Sequence, residues 1–239
     1  MHLASRRPSA ALLALAALLT LALLAAVAAL GDDDSAAAAA STATISNPYM
    51  AFSTVRRTEY SGHERNDEGK QVRTRSIAVV LKRTVVIAGL RSAVVDVRDY
   101  ENGKLIEHTK DYYAQRANGD VLYMGEDVND IENGKVVSHG GQWRAGRRGA
   151  KAGLFMPAKP RRNQTFHQER APGVAEDEST IVGTERTVRT PAGRFRHCVK
   201  TRDFSPLDKA NEHKYYCRGI GLVREDVEGG NGLLVRYVR

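Results

Sequence analysis

The sequence predicts an all-β chain: a single antiparallel, strongly curved sheet or half-open barrel of about ten strands in a meander, preceded by an N-terminal apolar leader helix. Three observations carry this reading. Asn-Gly pairs recur at nearly equal intervals, at Asn102-Gly103, Asn118-Gly119 and Asn133-Gly134, and Asn-Gly supplies the positive backbone torsions that a two-residue hairpin turn needs. The stretches between them, KLIEHTKDYYAQ and DVLYMGEDVNDI, are rich in aliphatic and aromatic residues and hold no proline. No segment after the leader sustains a 3.6-residue apolar period, so no helix has a face to bury.

The leader comes first. Arg6 and Arg7 precede an apolar run from Ala10 to Leu30 that only Thr20 interrupts. Residues 1–31 therefore read as an export signal peptide, with small residues at Ala26 and Ala28 or at Ala29 and Gly31 for cleavage, or as an uncleaved N-terminal membrane anchor. Basic residues before the run and three aspartates after it orient the rest outward under either reading, which places the protein in the cell envelope or outside the cell. Residues 32–48 are small and of low complexity and are expected to form a disordered linker. Residues 49–239 remain as a single β-rich domain. Hydrophobic content of 42% and charged content of 27% over 239 residues suit an ordinary core. Removing the leader's two arginines from 36 basic residues leaves 34 against 28 acidic ones, a net +6. That charge suits lipid head groups or anionic envelope polymers as partners. Nucleic acid is a poor match for an exported chain, membrane contact is expected only through an uncleaved leader, and no cofactor is implied.

The strands follow in order. STVRRTEY and QVRTRSIAVVLKRTVVIAGLRSAVVDV give three strand-like runs broken at NDEGK and IAGL. The Asn-Gly turns then delimit four strands at 93–101, 104–116, 120–132 and 135–143. ESTIVGTERTVRTPAGRFRHCVKTRDF holds two strands joined at TPAG, and KYYCRGIGLVREDV and GLLVRYVR close the chain. The two cysteines flank SPLDKANE; a hairpin centred between Leu207 and Asp208 sets Cys198 opposite Cys217, and export makes a cross-strand disulfide chemically reasonable.

With turns centred on the Asn-Gly pairs, opposed residues can be paired across each hairpin. One face then collects Ala93, Val95, Val97, Tyr112, Val121 and Tyr123, with Lys110 opposite Asp127 and Tyr112 opposite Gly125; this is the expected core face. The other face sets Asp111 opposite Glu126, Glu107 opposite Asp130, and Arg98 across from Glu107. Like charges directly opposite are destabilising, which invites a reason. The simpler reading is a solvated face whose carboxylates splay into water. The chemical readings are a divalent-cation site built from Asp111, Glu126 and His139, or a carboxylate pair for acid/base hydrolysis.

One long connection, from Trp143 to Gln168, carries seven basic residues and no acidic one, interleaved with aromatics. Its functional reading is a lid or binding surface, with Arg147, Arg148, Arg161 and Arg162 for anionic groups and Trp143, Phe155 and Phe166 for a ring or acyl chain. The alternative is a basic surface loop pinned by its apolar residues into the sheet's open end. GIGLV at Gly219 to Val223 lacks the third glycine of a dinucleotide loop, no serine sits in a G-x-S-x-G elbow, and the histidines show no ligand spacing.

At KDYYAQRANGDVLYMGEDVNDIENGK, GLFMPAKPRRNQTFHQERAPGVAEDE and KYYCRGIGLVREDV the chain resembles a group of uncharacterised exported bacterial proteins, over most of residues 48–227. That resemblance implies a leader or lipoprotein signal followed by one β-rich domain of unknown function; the four loop arginines depart from it. A remoter similarity, in sheet architecture alone, is to curved half-barrel carriers of lipids or lipoproteins in bacterial envelopes. The expectation is a non-enzymatic envelope binding module for an amphipathic or anionic ligand, with a hydrolase on the acidic face or a structural domain as alternatives.

Overall fold

Alternating inward and outward side chains, punctuated by turns with positive φ, give a chain built of strands. The computed structural model describes residues 43–66 and 68–239. The leader, residues 32–42 of the linker and Asp67 lie outside the described residues. The strands are β1 (Arg57–Arg65), β2 (Gln71–Ile87), β3 (Leu90–Glu101), β4 (Lys104–Gln115), β5 (Val121–Glu132), β6 (Lys135–Ser138), β7 (Trp143–Arg144), β8 (Gly153–Met156), β9 (Thr165–His167), β10 (Glu178–Thr190), β11 (Gly193–Phe204), β12 (Asn211–Cys217), β13 (Gly221–Val227) and β14 (Gly230–Val238). Among the described residues no helix is long and apolar enough to cross a membrane.

The sheet is antiparallel in the order β6-β5-β4-β3-β2-β1-β14-β13-β12-β11-β10-β9, with β7 and β8 also paired to β5. Among the described residues it has fourteen strands rather than about ten. Three of the extra four, β7, β8 and β9, are pieces of two to four residues in the long basic connection, too short to show a period. The fourth arises because KYYCRGIGLVREDV is two strands, folded back at Arg218 to Ile220. The sheet is not closed into a barrel. Its two ends are drawn together where β8 pairs with β5 and Lys151 forms a bridge to Arg170. There the chains pass so closely that a Cβ on Gly153 would stand 2.0 Å from the Gln168 carbonyl oxygen.

Residues 43–48, expected in the linker, are instead part of the packed domain. Ile45 and Asn47 are buried, and the Gln115 side-chain oxygen at the end of β4 accepts hydrogen bonds from the Ser46 and Asn47 amides at 2.8 and 2.9 Å. The disulfide forms as expected, joining Cys198 and Cys217 directly across β11 and β12.

Two β-bulges reverse the expected assignment of faces. The turn at Asn102-Gly103 gives the expected pairing of Glu101 with Lys104, but Ile106 is then an extra residue, so Asp99 rather than Arg98 opposes Glu107. Between β4 and β5, Tyr112 opposes Gly125 as expected, while Met124 is extra and Tyr113 opposes Tyr123. A one-residue slip moves every side chain beyond it to the other face. Ala93, Val95, Val97 and Tyr123 therefore share a face with Asp111 and Glu126, and that face is the buried one. Lys110, Tyr112 and Asp127 take the opposite face, where Tyr112 is nonetheless buried, at 3% exposure. There Arg144 of β7 lies over the Tyr112 ring at 4.5 Å and pairs with Asp127 at 2.6 Å, displacing the Lys110–Asp127 ion pair that the register suggests. Arg98 pairs with Asp96 at 2.8 Å.

Candidate functional site

Strands β4 and β5 line the interior with Tyr113 and Tyr123, whose rings stack with centroids 5.0 Å apart. The short strands of the long connection add to this layer. Trp143 of β7 meets Tyr123 edge-on at 5.5 Å, and Phe155 of β8 meets Tyr113 edge-on at 5.0 Å. Phe155 also reaches Tyr216 of β12 at 6.3 Å, so one ring links the two halves of the curved sheet. Against these rings sit the opposed acids. The Tyr123 hydroxyl lies 3.1 Å from Asp111 Oδ1 and 3.2 Å from Glu126 Oε2, and the Tyr113 hydroxyl 3.5 Å from Asp111 Oδ2. Asp111 is 3% and Glu126 7% exposed. Burial, and next the Asp111 carboxylate, push both phenols well above the ordinary tyrosine range. Both therefore stay neutral and act as hydrogen-bond donors.

The acidic interior continues on both sides. Asp99 of β3, flanked in the register by Ser76 and Glu107, is buried. Burial and then the Glu107 carboxylate push it well above the ordinary carboxylate range, against the Ser76 hydroxyl. Across the interior, Lys214 of β12 is 2% exposed and stands 3.2 Å from Glu212, 3.3 Å from Glu225 and 3.4 Å from Asp203. Burial opposes its charge, but those carboxylates outweigh burial and hold the ammonium pKa well above the usual lysine value. Sequence reasoning missed this cluster, whose only sequence signal is strict alternation in NEHKYYC against acids on the neighbouring strands.

Two shallow openings stand out among the described residues. One, an apolar mouth partly open to solvent, lies among Met50, Phe52, Val55, Val80, Ile220 and Leu222, with Arg56 and Arg57 beside them. The other, more polar, includes Glu64, Asp99 and Glu225.

The residues singled out in the long connection divide by type. Trp143, Phe155 and Phe166 are buried in the core, whereas Arg147, Arg148, Arg161 and Arg162 are exposed. Arg147 and Arg148 sit in the turn before Ala150, and Arg161 and Arg162 sit in the turn before β9. His139 follows β6 and is exposed, with Nδ1 2.7 Å from the Val128 carbonyl oxygen. Among the described residues, no group of three His, Cys, Asp or Glu side chains is placed to hold a metal ion.

No protein-family model matches the chain, and no curated protein matches it. Two solved structures are similar. One, from Parabacteroides distasonis ATCC 8503, is a provisionally assigned lipoprotein; at 12% identity and a TM-score of 0.42 the match covers 80% of this chain and 99% of that one. The other is a β-barrel-like protein of domain of unknown function DUF1849 from Brucella abortus, at 11% identity and a TM-score of 0.43, covering 77% of this chain and 97% of that one. Likenesses this distant do not bear on what this chain does.

Proposed function

We propose that this chain is a non-enzymatic binding module of the cell envelope that takes an amphipathic molecule with an anionic head group. The observation carrying this reading is the apolar mouth bordered by Arg56 and Arg57. An acyl or ring portion gains by leaving water among Phe52, Val80 and Leu222, and the arginines answer the negative head. Export rests on the leader sequence and is in keeping with the disulfide. Binding is favoured over hydrolysis because Asp111 and Glu126 lie against the Tyr113 and Tyr123 rings, so a substrate would have to displace the core to reach them.

The test is fluorescence titration of the full chain with a dansylated long-chain fatty acid and with its methyl ester. Both should bind saturably, and Phe52→Asp should abolish binding of both while Trp143 emission reports an intact fold. Changing Arg56 and Arg57 to Glu should weaken binding of the acid and spare the ester. Absence of saturable binding, or a folded Phe52→Asp variant that binds normally, overturns the proposal.

A further inference from the structure

The turns of the sheet are unequal in charge. At the end where β1 begins and β14 finishes, the β10–β11 hairpin projects Arg186, Arg189, Arg194 and Arg196, all exposed. Arg189 and Arg194 oppose each other directly across the hairpin, and among the described residues neither has a carboxylate partner. Like charges placed this way repel, and the hairpin tolerates them only while water or an external anion screens them. The tip is held in place: the Ala192 amide donates to the Leu234 carbonyl at 3.1 Å, and the Phe195 and Tyr237 rings meet at 6.4 Å. That contact brings in Arg239, which lies over Tyr237 at 5.9 Å, and the exposed Arg218 follows β12 at the same end.

Acids are few here and already engaged. Glu185 pairs with His197 at 2.5 Å, Asp120 accepts from Ala158 and Asn118, and Glu59 pairs with Arg75 at 2.7 Å. The opposite end is mixed in charge, with Glu64 and Arg65, Glu68 and Lys70, Glu101 and Lys104, Glu132 and Lys135, and Asp208 and Lys209 at its turns and strand ends.

Two further features share the basic end. Val86, near the β2–β3 turn, is 65% exposed. Residues 43–47 enter the domain there, against Gln115 at the end of β4.

We infer that this basic end is a docking surface for an anionic phospholipid bilayer, with the β10–β11 hairpin as its main contact. Lipid phosphates take the place of carboxylates between Arg189 and Arg194, and the end of mixed charge faces away. The inference stands independently of the ligand proposed for the mouth, although that mouth opens on the same end, between Arg57 and the β12–β13 turn. Each arginine close to an anionic surface strengthens partitioning by about fivefold.

Hydrogen exchange of the full chain tests this, because an inserted leader attaches the protein to any vesicle and only local protection reports docking. Peptides covering residues 186–197 should exchange more slowly on phosphatidylcholine vesicles with about 30% phosphatidylglycerol than on phosphatidylcholine alone. The protection should vanish at about 1 M salt, where the Debye length is about 3 Å. Changing Arg189 and Arg194 to Glu should abolish it while β4 and β5 peptides exchange as before, which shows the fold intact. Equal exchange on the two vesicles overturns the inference. So does protection by soluble polyphosphate with none on the anionic vesicles, which would assign the surface to an anionic polymer instead.

Discussion

A buried charge is stable only with its partners, and the interior contains both outcomes. Lys214 meets three carboxylates and stays charged. Asp99 meets Glu107 and a hydroxyl, with no cation opposed to it in the register, and is pushed toward its neutral form. The consequence for pH follows from linkage. The native state of Asp99 keeps a proton at pH values where the unfolded chain, with an ordinary carboxyl near pH 4, has already lost it. Its contribution to stability is therefore complete below the ordinary carboxylate range and is lost as pH rises through the elevated native value. Asp99→Asn mimics the protonated form, so as pH rises above about 4 its urea midpoint should fall less steeply than that of wild type. Midpoints from Trp143 emission at stepped pH measure this, and parallel curves for the two proteins would show that Asp99 does not titrate over that range.

Single elements explain where the sequence was legible and where it was not. Turn chemistry was readable: Asn102 and Asn133 take φ of 49° and 50° with Gly103 and Gly134 positive after them, as a two-residue hairpin demands. The pair Asn118-Gly119 differs, because the Asn118 side chain accepts the Asp120 amide and the loop runs from Arg116 to Asp120. That longer loop shifts the register by one, and the bulge at Met124 restores it. The opposition of Asp111 to Glu126 was therefore predicted correctly although the intervening turn was not. Their burial was not predicted, because the Ile106 bulge carries no local sequence mark and it transfers the valines of β3 to the acidic face. Gly125 is the one clue to the Met124 bulge: its φ is +118°, and a Cβ there would stand 2.2 Å from the Trp143 carbonyl oxygen. Gly125→Ala should therefore cost about 1–3 kcal/mol, split between backbone strain and a forced retreat of β7. Urea denaturation would register this as a lower midpoint at unchanged slope, together with a shift in Trp143 emission, and an unperturbed midpoint would mean that β7 yields freely.

For the molecule as a whole, the question is what keeps an open sheet folded upon itself. Beyond the continuous β1–β14 ladder, the backbone closes the gap through β8, the bridge from Lys151 to Arg170 and the Gly219 amide bonded to the Pro48 carbonyl, and side chains add to these. Phe155 is the clearest such contact, since it is 6% exposed and touches Tyr113 and Tyr123 on one side and Tyr216 on the other. Truncating a buried phenylalanine removes its transfer energy and leaves a cavity, and Phe155→Ala should cost about 3–5 kcal/mol. The form of the transition tells more than its midpoint. Trp143, the single tryptophan, reports the half that contains β5 and β7, while far-ultraviolet circular dichroism reports every strand. If Phe155 only adds to a core that other contacts already unite, the two signals of the variant still coincide at a lower denaturant concentration. If it is the contact that makes the halves one cooperative unit, Trp143 emission changes first and the remaining strands unfold at higher denaturant. The second outcome is expected, because among the described residues the other aromatic pairs of this layer, Tyr113 with Tyr123 and Tyr123 with Trp143, lie within one half, whereas Phe155 spans both.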